Sequence, residues 1–149
     1  MTHTIRRLLL TFGSALLGVI ISDLVCKLMI DKSFLIDSVT MFNVVEVMIG
    51  VWGTLLGFLI TAESVLIAFS NGTITSDFKK TGHYITVIYQ YTLTSFKLLV
   101  YIVAFVSLMI INNFTMEVMF VFLICIIMTF VDTLACFGIL ILMLIMANK

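Results

Sequence analysis

The chain has 149 residues, enough for one domain, of which 62% are hydrophobic and only 11% charged, with a mean hydropathy of +1.29. Eight basic and eight acidic residues cancel, so no net field draws nucleic acid or an acidic partner to the chain as a whole. A soluble domain of this size cannot hide so much apolar surface, and the expected class is an all-α membrane protein.

Four apolar segments follow one another. The first spans about 8–30: an uncharged run, Leu8–Ser22, then an outer end carrying Asp23 and Lys27. Those two stand at i,i+4, the spacing of a paired helical turn that emerges into the headgroups. Arg6 and Arg7 before the run imitate a secretory signal, but no small-x-small cleavage site precedes a polar region and more apolar segments follow. The segment therefore reads as a retained span. The second segment spans about 44–69, the third 85–111 and the fourth 118–147. Each of these reaches the roughly 20 residues that a helical span needs. Proline is absent, so nothing forces a break. Only helices satisfy the backbone over such lengths in lipid. No internal repeat or linker divides the chain, and residues 1–149 form one up-down bundle.

The connections carry an asymmetric charge. Arg6, Arg7, Lys79, Lys80 and Lys149 fall on one side; the opposite connections hold Lys32 beside Asp31 and Asp37, and 112–117 without any lysine. The positive-inside rule then places both termini and the 70–84 turn in the cytoplasm.

The second segment carries Glu46, Gly50, Gly53, Gly57, Thr61, Ser64 and Ala68 at steps of three or four, a single stripe on a helix. Small residues permit close backbone approach and hydroxyls bond across it, so one reading is a packing seam. The other is a pore lining of small and hydroxylic groups; a seam between copies around an axis satisfies both. The third segment has its own polar stripe, Thr86, Gln90, Thr94, Lys97, Tyr101 and Ala104. The fourth has Cys125, Thr129, Asp132 and Cys136.

Three charges lie inside the spans. At about 1.5 Å per residue from the cytoplasmic end, Glu63 is about 10 Å deep, Lys97 about 18 Å and Asp132 about 21 Å. An unpaired charge at a helix centre costs about 2.5–3.5 kcal/mol on insertion scales. Lys97 and Asp132 are alike in depth and opposite in sign, so they are the expected pair, with Glu63 the alternative partner. Such a pair fixes helix register, or else Lys97 is a fixed charge beside a permeation path that favours anions.

Residues 75–91, TSDFKKTGHYITVIYQY, are the most polar stretch between apolar runs. Asn71-Gly72 and Thr81-Gly82 are turn signals, and Thr81 is a candidate N-cap. Lys79, Lys80 and His83 would face the cytoplasm near a helix N-terminus, which attracts anions, with Tyr84 and Tyr89 close behind. Charge for phosphate and rings for bases are what single-stranded nucleic acid requires. Lysine and tyrosine at a membrane boundary are equally the ordinary anchor of a span.

Other chemistry is thinly represented. Cys26, Cys125 and Cys136 are scattered in apolar segments, away from His3 and His83, so they read as small core residues, with no metal and no cofactor. No GxSxG, no HExxH and no paired catalytic carboxylates occur, so no catalytic residue is assigned and no enzyme is expected.

The block GVWGTLLGFLITAESVLIAFS (50–70) followed by FKKTGHY (78–84) resembles small bacterial membrane proteins that include the channel effectors of the Hailong anti-phage system. The resemblance covers about 50–91. It implies a homo-oligomeric, tetrameric ion channel of the bacterial inner membrane. It also implies a partner nucleotidyltransferase whose short single-stranded DNA products hold the channel shut until infection removes them. This sequence departs from the pattern in holding no sizeable soluble region, so any ligand site would be built from helix ends and the 70–91 stretch of several copies. The competing expectations are a non-conducting membrane anchor that recruits a soluble partner, and a holin-like pore. The second is weakened by a C-terminus whose only charge is Lys149.

Overall fold

The structure, a computed structural model, describes residues 3–31, 38–68, 83–111 and 115–147. All of the regular structure described is helical: α1 (His3–Asp31), α2 (Ser38–Ala68), α3 (His83–Ile111) and α4 (Met116–Ala147). Three helices are long and apolar enough to cross a membrane, over Val39–Ala68, Tyr84–Ile111 and Glu117–Leu142; α1 contributes the shorter apolar stretch Phe12–Val25. Asn71, Gly72, Lys79, Lys80, Thr81 and Gly82 lie outside the described residues.

Helix ends follow local chemistry. The Thr115 hydroxyl accepts the Val118 N–H at 3.4 Å and its carbonyl accepts the Met119 N–H at 3.1 Å, so Thr115 caps α4. Glu117 in the first turn suits the positive end of the helix dipole. The Asp23–Lys27 pair forms at 2.6 Å, both side chains exposed. α2 begins six residues earlier than the apolar segment 44–69, at Ser38 rather than Val44. The cause is packing: Met41, 5% exposed, is already part of the core.

Contacts fix the order of the helices. Tyr84 reaches Leu66 while Trp52 meets Tyr101 and Phe105, so α2 and α3 run antiparallel. Tyr91 reaches Cys136 while Phe105 meets Phe122, so α3 and α4 do too. α1 lies mainly along α4 and touches α3 at Ser14. α3 and α4 are thus the inner pair, flanked by α2 and α1. One end of the bundle gathers His3, Ala68, His83 and Ala147.

The core has two characters. On the α2 side it is aromatic: Trp52 is fully buried with the rings of Tyr101, Phe105 and Phe122 at 5.7, 5.5 and 5.8 Å. Tilted and edge-on rings at these distances are the favoured arrangement. On the α1 side it is small. Ser14, Gly18 and Ser22, one turn apart, are the buried face of α1, and this small-xxx-small spacing lets α1 approach α4 closely. A Cβ at Gly18 would stand 2.8 Å from Met128 Cγ and 3.4 Å from the Ile124 carbonyl oxygen. Gly18→Val is therefore expected to push α1 from α4 and cost about 1–3 kcal/mol, read as a lowered unfolding midpoint in detergent; an unchanged midpoint contradicts the close contact.

Candidate functional site: the buried polar seam and the outer face of α2

Hydroxyl groups in lipid need partners, and several find them on their own helix. Thr94, Thr129 and Ser107 each bond the carbonyl four residues back, at 2.8–2.9 Å. The two polar stripes of α3 and α4 face each other. Lys97 Nζ lies 2.7 Å from Asp132 Oδ2 and 3.2 Å from Ser14 Oγ, so one ammonium ties three helices. The Lys97 side chain is 15% exposed and that of Asp132 only 3%. Around this pair, Tyr91 Oη donates to the Cys136 carbonyl at 3.0 Å and Cys136 Sγ to Thr94 Oγ1 at 3.7 Å. Cys125 and Cys136 are buried free thiols within the core. Ala104, at the end of the α3 stripe, is exposed.

Glu63 does not meet Lys97. It accepts the Thr92 hydroxyl at 2.5 Å, nearer the end that gathers Ala68 and His83. Of the two carboxylates, the one at the depth of Lys97 takes the ammonium, and the shallower one takes a hydroxyl.

The stripe of α2 points away from the bundle. Glu46, Gly50, Gly53, Gly57, Thr61, Ser64 and Ala68 are all exposed, whereas Met41, Val45, Trp52 and Leu59 on the other side are buried. Nothing stands within 4 Å of a Cβ built at Gly50, Gly53 or Gly57. The hydroxyls on this face are satisfied by their own helix: Thr54 to the Gly50 carbonyl at 3.0 Å, Thr61 to Gly57 and Ser64 to Ile60 at 2.8 Å. The small-residue seam inside the protomer belongs to α1. Its spacing, Ser14–Gly18–Ser22, is readable in the sequence but is masked by the uniformly apolar run around it.

The aromatic cluster expected behind Lys79 and Lys80 is not one platform. Tyr84 is half-buried and donates to the Leu66 carbonyl at 3.3 Å. Tyr89 is exposed, on another side of α3, and Tyr91 is in the core. His83 opens α3. A shallow groove of about 390 Å³ lies between the opposite ends of α2 and α3, lined by Phe42, Glu46, Ile49, Val106, Met109 and Ile110.

These features define a class, a helical protein built to sit in a membrane. No family model, no curated protein and no solved structure matches the chain.

Proposed function

We propose that this chain is the protomer of a homo-oligomeric ion channel in the bacterial inner membrane, its copies meeting along the outer face of α2. The carrying observation is that face. A helix side turned to lipid is ordinarily apolar, yet here Gly50, Gly53, Gly57, Thr61 and Ser64 lie open on one side with Glu46 at its end. Close backbone approach between copies is what such a surface serves, and four helices leave little room for a pore within one protomer. Both termini and the 70–84 connection face the cytoplasm in this reading. The antiparallel order supports it by gathering His3, Ala68, His83 and Ala147 at one end, next to Arg6, Arg7, Lys79, Lys80 and Lys149 in sequence.

The ligand proposed for that end is short single-stranded DNA, made by a partner nucleotidyltransferase, that closes the channel of an anti-phage effector. Its support is the likeness of 50–91 to Hailong channel effectors, with Lys79, Lys80, His83 and exposed Tyr89 as contacts. The test is conductance of the purified protein in planar bilayers, with and without such DNA on the cytoplasmic side. Current suppressed by DNA is the expected result. Current indifferent to DNA removes the ligand and keeps the channel; no current removes the channel.

Gly57→Leu is expected to leave the helical content unchanged while lowering the oligomeric mass of the detergent-solubilised protein, because the substitution meets nothing in its own protomer. An unchanged mass excludes the α2 face as the contact. The second reading is a non-conducting anchor, favoured by the α2 hydroxyls that already bond their own backbone.

A further inference from the structure

One buried acceptor in the α3–α4 seam has no donor. Gln90, the single glutamine of the chain, is 1% exposed, and its Oε1 has no hydrogen-bond partner. Its Nε2 reaches only Thr94 Oγ1, at 3.5 Å. Exchanging the amide oxygen and nitrogen does not help: the Thr94 hydrogen is already given to the Gln90 carbonyl at 2.9 Å, and the amide nitrogen would become the orphan. Interior helix N–H groups are committed to their own ladder. A serine or threonine can turn its hydroxyl back onto the helix; a glutamine oxygen has no such escape. A buried oxygen without a donor loses its hydration and gets nothing back.

The neighbours extend the deficit along one file. Thr86, one turn nearer the His83 end, is 7% exposed with an unpartnered hydroxyl. Thr94 and Lys97 continue the file the other way. Beside Asp132 in sequence, Thr133 is 8% exposed and also unpartnered. An ammonium has three hydrogens to give, and the bonds of Lys97 to Ser14 and Asp132 use two. Neither lipid nor a second copy can supply a donor to a side chain so enclosed. A molecule of water can, since the site offers it an amide oxygen, an amide hydrogen and a hydroxyl.

We propose that water occupies this file from the His83 end of α3 to the Lys97–Asp132 pair, giving each protomer an aqueous half-path of its own. It is about 16 Å long, from Thr86 to Lys97 at the helical rise. Thr86 stands in the first turn of α3, so the file opens at the end that gathers His83 and Ala68. Water along it lowers the desolvation penalty of the buried pair. The half-path is a property of the single protomer and does not depend on contacts made by α2.

The single glutamine makes the test direct. In the full chain, labelled with ¹⁵N only at glutamine side chains and reconstituted in lipid bilayers, magnetisation transfer from water to the one side-chain amide is expected in solid-state NMR. Thiol labelling supplies the direction. With Cys26, Cys125 and Cys136 replaced by alanine, Gln90→Cys is expected to react with a membrane-impermeant methanethiosulfonate at least about tenfold faster than Phe96→Cys, because a thiol in lipid does not ionise. Phe96 is 63% exposed on the outside of the same helix. The reaction is expected only from the side that exposes the N-terminus of α3. No transfer to the amide, labelling no faster than at Phe96→Cys, or labelling only from the opposite side overturns the proposal.

Discussion

Asp132→Leu alone is expected to destabilise the folded chain by about 3–5 kcal/mol, and adding Lys97→Met to it to recover most of that loss. The single substitution leaves an ammonium, 15% exposed, with the Ser14 hydroxyl as its remaining partner among the described residues. The double substitution removes both charges and puts apolar side chains of similar volume in their place. Buried pairs replaced in this way are often neutral, since the desolvation that the pair overcomes disappears with it. Lys97→Met alone strands the carboxylate, 3% exposed, and belongs with the damaging changes. The measurement is a double-mutant cycle on unfolding in mixed micelles, followed by circular dichroism. A double variant as unstable as the single ones would mean that shape, not charge, holds the three helices here. A neutral Asp132→Leu would mean that the pair contributes nothing.

Trp52→Ala is expected to cost about 3 kcal/mol, at the lower end of the range for truncating a buried aromatic. The reason for the lower end is the solvent. In water the loss combines transfer from the core with an unfilled cavity; between helices in lipid the transfer part largely vanishes, because the tails are as apolar as the core. What remains is lost dispersion against Tyr101, Phe105 and Phe122. Trp52→Phe keeps most of that contact. It also deletes an indole N–H that has no partner in the core, so its cost is expected to stay below about 1.5 kcal/mol. Thermal unfolding of the two variants beside the parent decides. Equal losses would show that the indole edge, rather than ring packing as such, matters; no loss for alanine would show that the cluster repacks.

The helices themselves are legible in the chain, since apolar runs without proline admit little else in lipid. The partnership of Lys97 with Asp132 is legible only in part: the similar depth favours Asp132, but Glu63 has the same sign and stays an alternative until the 2.7 Å contact decides between them. The facing of α2 is not legible. A stripe of small residues announces that a side of the helix differs from the others, but the spacing of Gly50, Gly53 and Gly57 is the same whether that side meets a neighbour helix or lies open. What turned it outward is the opposite side, where Trp52 and Leu59 are fully buried. The tyrosines teach a related lesson. Tyr84, Tyr89 and Tyr91 are close in sequence, yet at about 100° per residue they leave the helix in different directions, and only Tyr89 stays exposed. The α1 seam is hidden in the sequence for another reason: serine and glycine scattered in an apolar run become a face only when the helix has a partner.

The distance between Lys97 and Asp132 along the chain has a meaning for synthesis. They are 35 residues apart, and the carboxylate lies on the last helix. When α3 emerges, its lysine has no counter-charge yet, and the Ser14 hydroxyl of α1 is the one partner already made. The pair closes only once α4 follows, through a connection as short as the residues between Ile111 and Met116. Charge pairing would thus favour entry of the two helices together over entry of α3 alone, and a chain interrupted after α3 would carry a stranded charge that marks it as unfinished.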